Sequence, residues 1–372
     1  MGWLRQPGWR RGEFGVVAQL AGGDEVQTAP QPHGDFYPQP GRRSDPRITY
    51  AALDLGTNNC RLLIARPFHE GFQIVDAFSR IVRLGEGLTQ TNRLGEAAIL
   101  RTIAALHICR DKMEARHVMR ARLIATEACR AAENGEDFID RVYEETGLDL
   151  EIVDREAEAH LAAAGCAALA DERAESILLF DIGGGSSEVV WLNRAEDGHD
   201  CGNLRGRVKD WVSLPVGVVS LAEKFGGVEV SPGVFEAMIA HVEEGLANFA
   251  ARLSRERRCQ NFHLLGTSGT VTTLAGVHLG LARYDRRRVD GLWMSRLEVD
   301  AAMAYLRAMS YSDRAQHGCI GPDRADLVLA GCAIFEAIRR AFPARRVRIA
   351  DRGLREGLLT QMMHADRARQ KR

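Results

Sequence analysis

Residues 178–192 read LLFDIGGGSSEVVWL. An apolar run reaches Asp181, passes three glycines and two serines, and resumes as a second apolar run. A plain hairpin needs only about two turn residues. This turn is longer, opens on a carboxylate, and joins strands that read as buried on both faces. Its composition suits a turn that holds something. Consecutive glycines let a ligand approach the backbone closely, and successive free N–H groups form a concavity that binds anions, phosphate above all.

Residues 51–65, AALDLGTNNCRLLIA, repeat the pattern about one domain earlier. Asp54 falls on Asp181, Gly56 on Gly183, Asn59 on Ser186 and Leu62 on Val189. Two such hairpins predict two similar lobes with an interlobe cleft between the turns. Gly183, Gly184 and Gly185 would cradle phosphate, and the hydroxyls of Thr57, Ser186 and Ser187 with the amide of Asn58 add neutral donors. An Asp at each entrance repels phosphate. It can instead hold Mg²⁺, which takes one or two carboxylates plus waters and phosphate oxygens, or it can orient a water. A purely structural hairpin with a capping Asp is the plainer alternative.

The rest of the chain sets bounds. At 372 residues it is long enough for two units of roughly 100–200 residues. Short apolar runs such as RLIAT, LEIVD, FHLLG and VRIAD alternate with amphipathic stretches such as EAAILRTIAALHICRDKMEA and FEAMIAHVEEGLANFAARLS. That alternation predicts an α/β fold. Six of the 11 prolines precede residue 47, so 1–46 reads as a disordered extension, starting upstream of the folded part. The lobes are then expected at 47–173 and 174–349, with 350–372 a terminal helix that packs back on the first lobe and a basic tail. A net charge of −1 gives no general argument for binding nucleic acid or membrane. No apolar run approaches the ~18 residues of a membrane span, and no secretory signal is evident. The eight cysteines, with no CxxC pair, read as reduced thiols of a cytoplasmic protein.

The two hairpins together are similar to the phosphate-binding motifs of the actin, sugar kinase and heat-shock ATPase superfamily, whose lobes are ribonuclease H-like. Within it, FDIGGGSSEVV and LDLGTNNCRLLIA resemble the exopolyphosphatase/guanosine pentaphosphate phosphatase family in its short, two-lobed form. Further landmarks follow in the family's order: ATEACRAAENGEDFI, IVDREAEAHLAAAG, LLGTSGTVTTLAGV and ADRGLREGLL. The resemblance implies an exopolyphosphatase that releases orthophosphate from the end of inorganic polyphosphate, with Mg²⁺ (or Mn²⁺). The alternative substrate is guanosine pentaphosphate. Lower-ranked alternatives are a superfamily kinase and a nucleotide-binding scaffold. The chain's partners would be that substrate, no nucleic acid and no membrane, with a homodimer left open.

Roles carried over by the resemblance are as follows. Glu158 is the catalytic base, with Glu156 as competitor because Ala157 and His160 stand where the family has Glu and Arg. Asp154, four residues before Glu158, would raise its pKa. Asp54 and Asp181 would be metal ligands and Glu188 their orienting partner. Arg130 would meet phosphate as a fork-shaped donor, its plainer role being a partner of Glu133. In GTSGT, Gly266, Ser268, Gly269 and Thr270 would bind phosphate or a base at a helix N-terminus. Asp351 and Glu356 either face the site or complement a helix dipole. The His-Asp pair in GHD, 198–200, is discounted as a metal site, and RRR, 286–288, as a solvated run.

Overall fold

The hairpin that opens the reading forms strands β6 (Ser176–Ile182) and β7 (Ser187–Asn193), paired antiparallel with Asp181 opposite Glu188. Its earlier counterpart forms β1 (Tyr50–Leu55) and β2 (Asn59–Phe68), with Asp54 opposite Arg61. The computed structural model describes residues 48–370 except 70, 172, 194–206 and 256–260. The expected extension 1–46, the GHD pair, Cys201 and Cys259 lie outside the described residues.

Each hairpin sits inside a sheet of the same design. The first has the order β3-β2-β1-β4-β5, adding β3 (Gly71–Ile81), β4 (Arg120–Ala125) and β5 (Glu151–Ile152). The second reads β8-β7-β6-β9-β11-β10, adding β8 (Val208–Leu214), β9 (Phe262–Thr267), β10 (Trp293–Ser295) and β11 (Arg346–Ala350). In both, the first hairpin strand also pairs in parallel with a strand reached through helix, β1 with β4 and β6 with β9. The internal repeat is therefore a repeat of topology. The sequence did not show β8 or β10, and LEIVD contributes only two strand residues. β5 and β10, of two and three residues, are too short to display a period, while β8, VKDWVSL, mixes charged and apolar residues along its edge.

Because strand side chains alternate, β6 feeds two cores. Leu178, Phe180 and Ile182 pack with Phe235, Met238 and Val242 of the helix Pro232–Arg252. Ile177 and Leu179 turn the other way, into a core shared with Tyr50, Ala52 and Leu63 of the first sheet. Two helices complete that middle layer, Arg155–Cys166 and the terminal Leu354–Gln370, through Leu161, Ala162, Leu358 and Leu359. The terminal helix reaches β1, where the Tyr50 hydroxyl donates to Asp366 Oδ2 at 2.9 Å. A third core lies on the outer face of the first sheet, where Leu53 and Leu62 meet Ile103 and Leu106.

The two middle-layer helices cross at glycines. A Cβ on Gly165 would strike the carbonyl oxygen of Gly353, and one on Gly357 that of Leu161. Both obstacles are backbone, so relief requires the helices to move apart. Gly357→Ala is therefore expected to cost about 1–3 kcal/mol of stability in urea unfolding. An unchanged midpoint would mean that the crossing is not this close.

Candidate active site

The two Asp-Gly turns close with the same hydrogen bond. Gly56 N–H donates to Asn59 O at 2.9 Å, and Gly183 N–H to Ser186 O at 2.9 Å. These turns then press on each other. A Cβ on Gly184 would stand 2.9 Å from Thr57 Cβ, and one on Gly185 2.7 Å from Thr57 Oγ1. Only glycine permits that approach. Thr57 and Asn58 are buried, and their carbonyls take N–H groups of Gly85, Val82 and Arg83. Arg83 also bonds Asp326 Oδ1 at 3.1 Å, and Glu223 accepts from Gly87 N at 2.9 Å, so the second sheet's half braces the loop behind the first turn.

On the far side of the glycine turn, the carbonyls of Gly183 and Gly184 accept from Val218 N and Val219 N at 2.9 and 2.8 Å. Those N–H groups begin the helix Val218–Phe225. With its carbonyls held there, the turn leaves the N–H groups of Gly184 and Gly185 donating to no other described residue. Asn58 Oδ1 is likewise a buried polar atom without a partner, beside the same turn.

Four carboxylates converge here. Burial, then Asp54, pushes Asp181 up to about 6, while Arg61 and the Ser268 hydroxyl pull the other way. Burial, then Asp181, pushes Glu188 up to about 7 against hydrogen bonds from Ser186 and Ser213. Asp54 is raised by burial, with Arg61 and Arg355 opposing. Glu158 is raised well above the usual range by burial and then by Glu188, with Arg130 opposing. Asp154 is not the cause: its carboxylate caps the helix Arg155–Cys166, accepting from Ala157 N at 2.7 Å. Glu156 is exposed on that helix and Glu158 is 7% exposed, so the helix turns Glu158 inward.

Arg130 does not present its fork outward. Its Nε and Nη2 donate to Glu127 Oε2 at 3.0 and 2.5 Å, Nη1 donates to Val153 O at 2.6 Å, and Nη2 also reaches Glu158 Oε2 at 3.1 Å. Its neighbour on the short helix is Glu127, not Glu133, which pairs with Arg93. Three other arginines supply cations without carboxylate partners. The side chains of Arg61 and Arg355 form no hydrogen bond or ion pair among the described residues, yet both act on Asp54. Arg324 bonds only the carbonyls of Ile320 and Cys319, at 3.2 Å each. Burial and Arg61 lower its pKa, and burial, Arg61 and Arg286 lower that of Arg355 despite Glu356.

The second glycine-serine turn divides. Ser268, at φ 79°, donates to Ile182 O at 2.6 Å and faces Asp181, and Gly269 lies beside Arg324. Gly266 instead makes room for the Phe180 ring and Val271, and Thr270 packs on Gly331. Ser187 also turns inward, donating to Val216 O at 2.7 Å. These three serve packing rather than the site. Glu356 does both things expected of it: it accepts from Gly353 N at 2.9 Å at the helix start and acts on Asp54. Asp351 accepts from Tyr284 at 2.6 Å. Sequence reasoning missed Glu127, Arg61, Arg324 and Arg355. Glu127 and Arg355 lie within the landmarks ATEACRAAENGEDFI and ADRGLREGLL, and Arg61 is a charge within a largely apolar strand.

Among the described residues no three His, Cys, Asp or Glu side chains gather into a preformed metal cage. Two buried aspartates, Asp54 raising the pKa of Asp181, still fit an ion of the Mg²⁺ kind, which completes its shell with water and phosphate.

Fold and site together define an α/β enzyme of phosphate chemistry. The chain belongs to the Ppx/GppA phosphatase family, whose profile matches residues 63–366. That is a family of hydrolases acting on phosphoanhydrides. It is 26% identical to a candidate exopolyphosphatase of Haemophilus influenzae, over 83% of this chain and 90% of that one. It is 27% identical to a bifunctional 3-dehydroquinate synthase/phosphatase of Fusobacterium nucleatum, over 77% of this chain, and spans only 42% of that protein's length. The Aquifex aeolicus Ppx/GppA crystal structure superposes with a TM-score of 0.69 at 27% identity, covering 86% of this chain and 98% of that one. An exopolyphosphatase structure from Cytophaga hutchinsonii shares the fold, with a TM-score of 0.76 at 23% identity, covering 85% and 98%. Among the described residues no helix is long and apolar enough to cross a membrane.

The carboxylates give a pH-dependent stability of definite sign. A carboxyl with a raised folded pKa keeps its proton longer folded than unfolded. Glu188 thus costs the fold little below its ordinary 4.5 and its full amount above about 7. In the presence of chelator, Glu188→Gln should be more stable than wild type by on the order of 1–3 kcal/mol at pH 8, and the gain should shrink towards pH 5. Thermal melts at the two pH values check this, and a gain of equal size at both would refute it.

Proposed function

We propose that the chain is an exopolyphosphatase, hydrolysing the terminal phosphoanhydride of inorganic polyphosphate with release of orthophosphate. The observation that carries the reading is Glu158: buried, its pKa raised by that burial and by Glu188, and held by Arg130 at 3.1 Å in a site that also contains the free N–H groups of Gly184 and Gly185. A general base needs a pKa moved towards the working pH and a fixed position. Burial supplies the first and Arg130 the second.

Water attacks the terminal phosphorus, and its proton passes to a Glu158 Oε. The bridging P–O bond breaks, the electron pair stays on the shortened chain, and orthophosphate leaves. N–H groups of Gly184 and Gly185 would hold the terminal phosphate, and Arg61, Arg324 and Arg355 would face the rest of the polyanion. Asp54 and Asp181 would hold a divalent ion, Mg²⁺ or Mn²⁺, which when bound neutralises charge on the phosphate oxygens. A linear polyanion suits three arginines whose guanidinium groups close no ion pair among the described residues. This favours polyphosphate over guanosine pentaphosphate.

Phosphate release from long-chain polyphosphate and from guanosine pentaphosphate, each with Mg²⁺ and with chelator, tests the reading. Mg²⁺-dependent release is expected, faster from polyphosphate, and Glu158→Gln should lower kcat by about 10²–10⁴. Undiminished turnover by Glu158→Gln would remove Glu158 as the base. Faster release from the guanosine compound would reassign the substrate.

A further inference from the structure

Arg130 is the cation nearest the base, yet it is Glu127 that holds it. Glu127 Oε2 takes both donors on one edge of the guanidinium, at 3.0 and 2.5 Å, leaving the other edge to Val153 O and Glu158. Glu127 Oε1 is itself fixed by Arg155 Nη2 at 2.9 Å. The Glu127 carboxylate is 9% exposed and Arg130 16%, so solvent screening of the pair is small. The same side chain touches the opposite half of the molecule: a Cβ on Gly185 would stand 3.1 Å from Glu127 Cγ. Glu127 is thus wedged between the base's cation and the turn that would seat the phosphate.

We propose that Glu127 is a positioning residue for hydrolysis, fixing Arg130, and through it Glu158, against the Gly185 turn. The idea rests on Glu158 being the base. Without Glu127, one edge of Arg130 is free to swing away from Glu158 towards the phosphate. The water then loses a fixed base while the phosphate loses no contact. The loss therefore falls on kcat and leaves KM nearly unmoved. Displacement of a reacting group by about 1 Å can cost on the order of a hundredfold.

The experiment is a double-mutant cycle on polyphosphate hydrolysis with Glu127→Gln, Arg130→Ala and both together. Glu127→Gln, which keeps the side chain's size, should lower kcat about ten- to a hundredfold with KM within about twofold and an unchanged melting temperature. In the Arg130→Ala background it should cost nothing further, because it acts through Arg130. Additive losses, a change confined to KM, or wild-type kinetics would each overturn the proposal. Should Glu127→Gln fail to fold, Glu127→Asp, which keeps the charge on a shorter stem, carries the same cycle and the same outcomes. Glu158→Gln runs alongside. If it turns over like wild type, Glu158 is not the base and the reading on which this inference rests fails; if it is inactive while Glu127→Gln is normal, only the present inference does.

Discussion

Four carboxylates buried within one another's fields are the constraint on which the rest of the site depends. Taking a single unpaired charge out of water costs several kcal/mol, and here Asp54, Asp181, Glu188 and Glu158 share one neighbourhood. Only Glu158 touches a guanidinium. The others are relieved by hydroxyls, from Ser213 and Ser268, and by holding their protons to higher pH. Arg61 and Arg355 act on Asp54 without closing an ion pair. A protein built for stability alone would pair these charges or replace them with apolar residues. Kept apart, they leave the folded chain open to stabilisation by mass action from any ligand that supplies the missing cation.

The pair of Asp-Gly turns was legible because everything that makes a turn is local. Asp, glycine and a donor recur at fixed spacing, and the matched bonds Gly56 to Asn59 and Gly183 to Ser186 follow from that spacing. The α/β class was legible for the same reason, since periodicity is a local property. What could not be read is convergence. Arg324 and Arg355 come from the second half of the chain to meet Arg61 from the first, and no pattern within a window marks that meeting. Glu127 was hidden differently. It sits in a five-residue helix beside Arg130, where Glu133, one turn the other way, was the partner expected from spacing.

Residue type alone also did not show what three members of the glycine-serine turns contact within the fold. A hydroxyl on a buried strand must satisfy its hydrogen before it can serve a ligand, and Ser187 does so on Val216 O. Period two then separates it from Ser186, whose hydroxyl faces Glu188. Gly266 lies within β9, flanked by β6 and β11, so its missing side chain serves the Phe180 ring rather than a phosphate. Thr270 is one helical turn into the core, against Gly331. In each case the polypeptide's own interior had first claim on the group.

The polarity of the main turn depends on an element that the turn's sequence does not contain. A run of glycines can direct either its N–H groups or its carbonyls towards a ligand, giving an anion site or a cation site respectively. The helix Val218–Phe225 decides between them by placing its first N–H groups on the carbonyls of Gly183 and Gly184. Gly217 makes this approach feasible, since a Cβ there would strike the Gly184 carbonyl. The unpaired amides at the start of a helix ordinarily bind an anion or a cap. Here they are used to fix a second set of amides, those of Gly184 and Gly185, against Thr57 and the buried carboxylates. The proposed phosphate site is therefore one step removed from the helix that fixes it.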